Sequence, residues 1–215
     1  MILVTGTGRS GTHYTAVVMQ KTGLDIPHES VGKDGASSWK HIVSGTFEVK
    51  KKRVRRITEI KSEGFDTILH QVRTPLKVIA SMQTFSSFTW DYMAKFIEID
   101  RDASMIKRAM QAYLYWNRLI EKKAQWRFQI EKLEEVFPQF CEKIGVTPQP
   151  FPEIEHKARD SRTKRYTPLS WNDLSTVDPR LTAQLQKMAE EYGYGASLSS
   201  GSTKNPSSSH SWIKR

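Results

Sequence analysis

The chain has 215 residues and carries 33 Lys and Arg against 23 Asp and Glu, so its formal net charge is +10. This length favours one domain and disfavours a two-domain enzyme. A hydrophobic share of 38% excludes a disordered chain, a single cysteine excludes an internal disulfide framework, and no run approaches the roughly 18 apolar residues of a membrane span.

The N-terminal residues predict a strand, a glycine-rich loop and a helix. Residues 2–5 are apolar and β-branched, as in a buried parallel strand, and begin without a basic leader. Residues 6–11 turn the chain, and residues 12–22 have helical spacing up to Gly23. With the single cysteine, the missing leader leads us to expect a soluble cytoplasmic protein with no membrane partner.

The next stretch is expected to be irregular and then helical. Residues 24–46 hold one Pro and three Gly and read as irregular. Residues 47–63 place Phe47, Val54, Ile57 and Ile60 at roughly helical intervals, which predicts an amphipathic helix.

That predicted helix includes a basic run at residues 50–56, with six Lys and Arg. The run is either a solvated face or a contact for an acidic acceptor or nucleic acid. Aromatic residues are not interleaved with it, which disfavours nucleic acid.

A second strand and helix follow, and then an alternation of the same elements. Residues 67–72 predict a buried strand, and Thr74 with Pro75 predicts a capped helix through Met82. Further helices are expected at 103–125, 133–140 and 179–192, with a strand at 126–130. Alternating strands and helices predict an α/β fold of three layers, α/β/α, with a mainly parallel central sheet.

The C-terminal end differs in composition. Eight of the 21 residues from 195 to 215 are Ser, and no apolar period is present, which predicts a flexible tail after one domain at 1–194. A second basic run at residues 156–166 has five Lys and Arg against one Asp, so the two runs hold the whole surplus of positive charge.

The loop at residues 6–11 fits both GxGxxG and GxxxxG. Glycines let the backbone approach a ligand closely, and free N–H groups at a helix N-terminus bind anions, so an anion site is expected here. A glycine-rich turn without a ligand is the alternative. ATP or GTP hydrolysis is disfavoured, because Thr12 and His13 stand where that motif has Lys and Ser or Thr.

A dinucleotide-binding oxidoreductase stays open as a second interpretation. Asp25 or Glu29 lies about 20 residues beyond the loop, where a ribose-binding acid is expected. No Tyr is followed four residues later by Lys, as a short-chain dehydrogenase would need. A third interpretation is a non-catalytic basic module that binds nucleic acid or another polyanion.

Two segments resemble a known enzyme family more specifically. Arg9 to Thr12, after an apolar strand, resembles the 5′-phosphosulfate loop of the P-loop sulfotransferases, which use 3′-phosphoadenosine-5′-phosphosulfate (PAPS). Val72 to Met82 is similar to the family's 3′-phosphate motif, with Arg73 at a strand end, Pro75 two residues later and Ser81 eight residues later. The resemblance covers residues 1–82 and implies a P-loop NTPase-like fold, as in bacterial members of the family.

The resemblance also implies roles for individual residues. Residues 28–39 are similar to the segment after the first helix, and Glu29 matches the general base of tyrosylprotein sulfotransferases, with His28 as a second candidate. Arg9 would stabilise the leaving phosphate, and no metal would be needed. The implied PAPS-binding residues are Gly8, Arg9, Ser10, Gly11, Thr12, His13, Arg73, Ser81 and Arg162.

The sequence departs from the family at two places, and several of the named residues could have purely structural roles. His13 replaces a small or hydroxylated residue, and the C-terminal Arg-Lys-Gly motif is absent in its usual form. Arg73 could form a strand-end ion pair, Ser81 could be a plain helix serine, and Trp39 could pack in the core rather than stack on adenine. The acceptor, whether small molecule, saccharide or peptide, does not follow from the sequence.

Overall fold

The computed structural model describes residues 1–51, 54–154 and 166–195, with side chains for all of these except 49–51 and 54–56. The basic segment 156–165 and the predicted tail from residue 196 onward lie outside the described residues.

Strands and helices alternate along the chain. The strands are β1 (Ile2–Thr5), β2 (Gly35–Ser37), β3 (Gly45–Lys51), β4 (Val54–Ile60), β5 (Thr67–Val72) and β6 (Trp126–Gln129). The α-helices are α1 (Thr12–Lys21), α2 (Pro75–Met82), α3 (Ser87–Met93), α4 (Met105–Glu121), α5 (Phe137–Lys143), α6 (Trp171–Val177) and α7 (Pro179–Glu191). A short 3-10 helix covers Ile130–Lys132.

Four strands form a parallel sheet in the order β2-β1-β5-β6. Ile2 of β1 pairs with Gly35 of β2 on one side and with Thr67 of β5 on the other. Because the strands are parallel, the loops that follow β1, β2 and β5 leave the same edge of the sheet.

Helices flank this sheet, and alternate residues of its strands face opposite sides. Leu3 belongs to a core cluster with residues of α2, α4 and α7, whereas Val4 belongs to a second cluster with residues of α1 and α5. The predicted α/β class with a parallel sheet is therefore confirmed.

The predicted helix at residues 47–63 is wrong, because β3 and β4 form an antiparallel hairpin there. Phe47 pairs with Thr58 and Lys50 with Arg55. Val49, Val54, Ile57, Thr58 and Ile60 are β-branched, and this composition favours a pleated ladder over the helix that the apolar spacing suggested.

The interpretation of residues 24–46 as irregular missed β2. This strand has three residues and includes Gly35 at φ 146°, a conformation that other residues rarely adopt. A Cβ atom on Gly35 would lie 1.9 Å from the carbonyl oxygen of Ile2, so a glycine is needed for β2 to pair with β1.

The remaining predicted elements are confirmed within a few residues. One local detail differs: Thr74 does not cap α2 with its side chain. Its backbone N–H and its hydroxyl both donate to Oε1 of Glu131, at 3.0 and 2.7 Å. The start of α2 is therefore tied to the segment that follows β6. Among the described residues, no helix has the length and apolarity required to cross a membrane.

Candidate functional site

A cleft of about 660 Å³ opens at the edge of the sheet where β1 and β5 end. It is formed by the glycine loop (residues 6–11), the start of α1, the β5–α2 segment and residues that follow α1, β2 and α2. The lining residues are Gly8, Arg9, Gly11, Thr12, His13, Tyr14, His28, Glu29, Trp39, Lys40, Phe47, Arg73, Ser81, Thr84, Phe85, Ser86, Thr89 and Tyr166.

Three glycines of the glycine loop are closely packed or have an unusual backbone conformation. A Cβ atom on Gly6 would lie 2.2 Å from the carbonyl oxygen of Gln71, and one on Gly8 would lie 2.6 Å from Cζ of Phe85. Gly11 has φ 101° and precedes α1 without a side-chain cap. The N–H groups of the first turn therefore have no capping side chain from Gly11, which leaves donors for an anion.

Buried hydrogen bonds hold the loop against the sheet. Nε2 of Gln71 donates to the carbonyl oxygen of Ser10 at 2.7 Å, and Thr15 in turn donates to Oε1 of Gln71. The hydroxyl of Ser37, on β2, donates to the carbonyl oxygen of Thr12 at 2.8 Å. The loop is thus fixed by both neighbours of β1.

Arg9 occupies the cleft in a strained backbone conformation, with φ 76°. Its Nη2 donates to Oγ1 of Thr84 at 2.8 Å, and its guanidinium carbon lies 4.8 Å from the ring centre of Phe85. Its Nε is buried and has no hydrogen-bond partner among the described residues. Arg9 therefore offers a buried donor at the cleft, as an anion site requires.

The two residues of the second motif line the same cleft. Nη1 of Arg73 donates to the carbonyl oxygen of Arg9 at 3.3 Å, although the two residues are 64 positions apart. Ser81 lies on α2 and is 6% exposed. The structure thus brings Arg9, Arg73 and Ser81 together, as their spacing predicted.

Ser10 is placed differently from the other loop residues. It is 1% exposed and does not line the cleft, and its backbone N–H donates to the carbonyl oxygen of Thr7 at 3.0 Å. This internal turn occupies the donor that we expected to face the ligand. The backbone N–H groups expected to contact the ligand are therefore those of Gly11, Thr12 and His13.

The two candidate bases lie beside the start of α1. Nε2 of His28 is 3.2 Å from Oγ1 of Thr12 and 3.4 Å from Oε1 of Glu29. Nζ of Lys40 lies 2.7 Å from Oε2 of Glu29. Neither carboxylate oxygen accepts a directed hydrogen bond from the described residues, and the contact with Lys40 is an ion pair.

The pKa of His28 is lowered from 6.5 to about 4, first by burial and then by the positive charge of His13 and of Lys40. The His13 and His28 rings meet edge to face, with centres 5.2 Å apart. His28 is therefore neutral near pH 7, and one ring nitrogen carries a lone pair.

Aromatic side chains form part of the cleft wall. The ring of Trp39 is stacked on Phe85, with centres 6.3 Å apart, and meets Phe47 edge to face at 6.2 Å. Trp39 also packs against Trp116, at 5.4 Å. It thus lines the cleft and joins the core at once, so its two predicted roles do not exclude each other.

Several residues of the cleft belong to no sequence motif. Lys40, Phe47, Thr84 and Phe85 line it without belonging to any motif. Thr84 and Phe85 directly follow α2, and Lys40 follows β2, so a correct assignment of β2 would have placed Lys40 at this edge of the sheet. Phe47 was assigned to the helix that the β3–β4 hairpin replaces.

Two other predicted residues, Arg162 and Asp25, are not among the described residues that line the cleft. Arg162 lies outside the described residues, whereas Tyr166, at the end of the same basic run, lines the cleft. Asp25 accepts from the backbone N–H of Lys33 at 2.7 Å, within its own loop, and does not line the cleft.

The described part of the chain holds no group of three or more His, Cys, Asp or Glu placed to bind a metal ion. No protein-family model matches the chain, and no curated protein matches it significantly.

Proposed function

We propose that the protein is a sulfotransferase that moves a sulfuryl group from PAPS to a hydroxyl or amine acceptor. One observation carries the proposal: Arg9, Arg73, Ser81 and Glu29, which come from three separate segments, line a single cleft. The two motifs and the candidate base lie far apart in the sequence, and the fold brings them to one cleft.

The loop end of the cleft has the chemistry that a nucleotide phosphosulfate needs. Arg9 and the first turn of α1 supply donors for the 5′-phosphosulfate. Arg73 and Ser81 supply a guanidinium and a hydroxyl for the 3′-phosphate. The buried, unpartnered Nε of Arg9 fits this assignment, because a bound anion would satisfy it. The finer assignment of the fold as P-loop NTPase-like, with three layers, is part of the proposal.

The reaction asks the protein mainly to position groups and to stabilise charge. The acceptor oxygen or nitrogen forms a bond to sulfur while the bond from sulfur to the bridging phosphate oxygen breaks. Arg9 stabilises the negative charge that collects on that phosphate. Glu29 takes the acceptor's proton, with His28 as the second candidate, and adenosine 3′,5′-bisphosphate leaves.

The alternative of a dinucleotide-binding oxidoreductase is less well supported. That class places a ribose-binding acid about 20 residues beyond the loop. Asp25 is held within its own loop, and Glu29 is engaged with Lys40. The segment that follows β2, residues 38–44, contains no Asp or Glu.

Calorimetric titration of the full chain with adenosine 3′,5′-bisphosphate, adenosine 5′-monophosphate and NADPH tests the donor site. We expect the bisphosphate to bind most tightly, because only it offers a 3′-phosphate to Arg73 and Ser81. Arg73→Ala should weaken the bisphosphate and leave the monophosphate nearly unchanged.

Arg101→Ala is the matched control, since Arg101 is exposed, pairs with Asp91 and does not line the cleft. It should bind the bisphosphate as the parent chain does. Tighter binding of NADPH than of the bisphosphate would overturn the proposal in favour of the oxidoreductase.

A further inference from the structure

The carboxylate of Glu29 is held in an unusual setting. Its backbone has φ 63°, a left-handed conformation that is uncommon for residues other than glycine. Both carboxylate oxygens are buried, although the side chain as a whole keeps 21% of its surface exposed. A buried carboxylate without a countercharge costs several kcal/mol, roughly, so the neighbouring charge decides whether Glu29 can stay there ionised.

That countercharge comes from Lys40. Its side chain is 13% exposed, and Nζ lies 2.7 Å from Oε2 of Glu29. His28, on the other carboxylate oxygen, is neutral near pH 7, because burial lowers its pKa to about 4. Lys40 is therefore the one cation in contact with Glu29 among the described residues.

Lys40 is itself fixed in place. Its Nζ lies 4.5 Å from the ring centre of Phe47. Its backbone N–H donates to Oγ of Ser38 at 3.2 Å, and its carbonyl oxygen accepts from the hydroxyl of Tyr92 at 3.4 Å. An ammonium held by an aromatic face and a tethered backbone has little freedom to leave the carboxylate.

We propose that Lys40 is a positioning residue, which holds the carboxylate of Glu29 in place at the wall of the cleft. This inference rests on the proposed function, since it assumes that Glu29 takes the acceptor's proton. Lys40 acts through Glu29 and needs no contact with the donor nucleotide.

Other titratable groups also face Glu29 and enter any pH dependence. His28 contacts Oε1, and the charge of Glu29 acts on His41 and on Tyr92. His13 acts in turn on His28. Lys40 differs from these groups in that it is positively charged near pH 7 and in ionic contact with the carboxylate.

The first test does not depend on activity. The imidazole of His28 is titrated by NMR in the full chain and in Lys40→Met, with Lys187→Met as the matched control on an exposed face of α7. Since the charge of Lys40 contributes to the lowered pKa of His28, Lys40→Met should raise that pKa above about 4, but only in part, because burial and His13 still lower it. An unchanged titration in Lys40→Met would show that Lys40 is not part of this charge network.

The second test measures transfer from ³⁵S-labelled PAPS to a phenol, an amino sugar and a tyrosine peptide. For whichever acceptor reacts, Lys40→Met should lower kcat by about 100-fold, with little change in the KM for PAPS. Lys40→Arg should restore much of the rate.

A double substitution separates positioning from simple loss of structure. Lys40→Met combined with Glu29→Gln should be no slower than Glu29→Gln alone, since Lys40 acts only through Glu29. Additive losses would overturn the proposal. If no acceptor reacts although adenosine 3′,5′-bisphosphate binds, the proposed function fails, and the NMR titration still decides whether Lys40 holds Glu29. If Lys40→Met does not fold, the titration and the kinetics of Lys40→Gln take its place.

Discussion

Arg9 combines a strained backbone with an incompletely satisfied guanidinium. One nitrogen donates to Thr84, while Nε is buried without a partner among the described residues. Positive φ in a residue other than glycine costs free energy and persists where the surroundings fix it. An arginine held in this way at a cleft is suited to bind an anion.

Arg9→Ala should therefore lower the rate of sulfuryl transfer by about 10²- to 10³-fold, the usual cost of removing one donor to a developing charge. The rate is measured with labelled PAPS, and the unfolding midpoint in urea checks that the variant is folded. Arg101→Ala should transfer at the parent rate. An unchanged rate in Arg9→Ala would refute the assigned role.

His70 provides a prediction about stability that is independent of function. It is 1% exposed, and burial lowers its pKa from 6.5 to about 4, although its hydrogen bond with Asn117 opposes the shift. As the pH falls, His70 takes up a proton near pH 6.5 in the unfolded chain, but only near pH 4 in the folded protein. The contribution of His70 to the free energy of unfolding is therefore greatest above pH 6.5 and is lost as the pH falls towards 4.

His70→Gln should remove that dependence and reduce the loss of stability between pH 7 and pH 4 by about 3 kcal/mol. The measurement is the free energy of unfolding in urea at several pH values for both chains. The change in the free energy of unfolding with pH is compared within each chain, so any constant effect of the substitution on packing cancels. Parallel curves for the two chains would contradict the lowered pKa.

Among single residues, the sequence predicted best where a motif had a fixed spacing. Arg9, Arg73 and Ser81 lie in the expected cleft because Arg9 and Arg73 follow the ends of β1 and β5, and Ser81 lies on the helix that follows β5. Lys40 and Phe85 could not be found in this way, since their roles depend on packing between segments distant in the chain. Ser10 was misjudged because its N–H closes a turn inside the loop.

At the scale of elements, the glycine loop lies close to two different neighbours. Gly6 faces the backbone of β5, while Gly8 faces the end of the Phe85 side chain. A backbone carbonyl can yield only if the strand moves, whereas a phenylalanine side chain can shift through its χ1 angle.

Gly6→Ala should thus destabilise the protein more than Gly8→Ala, by about 2 kcal/mol or more, and should displace the loop from β5. Gly8→Ala should mainly weaken binding of adenosine 3′,5′-bisphosphate, through movement of Phe85. Thermal unfolding and calorimetric titration of both variants measure the two effects. The reverse order of stabilities would show that the loop is not held against β5.

The elements that were predicted wrongly have physical explanations. Residues 47–63 carry apolar side chains at intervals that suit a helix, yet their β-branched content and pairing across the hairpin favour strands. The strand β2 has only three residues and forms because Gly35 can approach Ile2 closely. Neither a cross-strand pair nor a close approach can be read from local periodicity.

At the scale of the whole molecule, the sheet order explains why distant motifs meet. β1 lies between β2 and β5, so the segments that leave these three strands share one edge. The first motif follows β1, the second follows β5, and Lys40 follows β2. This order depends on which strands pair, and the sequence pattern alone predicted a parallel sheet without its order.

Binding in such a cleft should stabilise the entire chain. At about 100 times its Kd, a ligand of the folded state contributes about 2.7 kcal/mol. For a protein of this size that corresponds to an increase in Tm of roughly 5 to 10 °C. Adenosine 3′,5′-bisphosphate should produce this increase in a thermal scan, and Arg73→Ala should reduce it. A larger increase with a DNA duplex would favour the polyanion-binding alternative.

The central claim is that the cleft transfers a sulfuryl group with Glu29 as the base. The most direct measurement incubates the parent chain and Glu29→Gln with ³⁵S-labelled PAPS and the three acceptors, and follows label in the product. We expect labelled product from at least one acceptor with the parent chain, and a rate lowered by about 10²-fold or more in Glu29→Gln. Equal rates in the two chains, or bound bisphosphate with no labelled product from any acceptor, would contradict it.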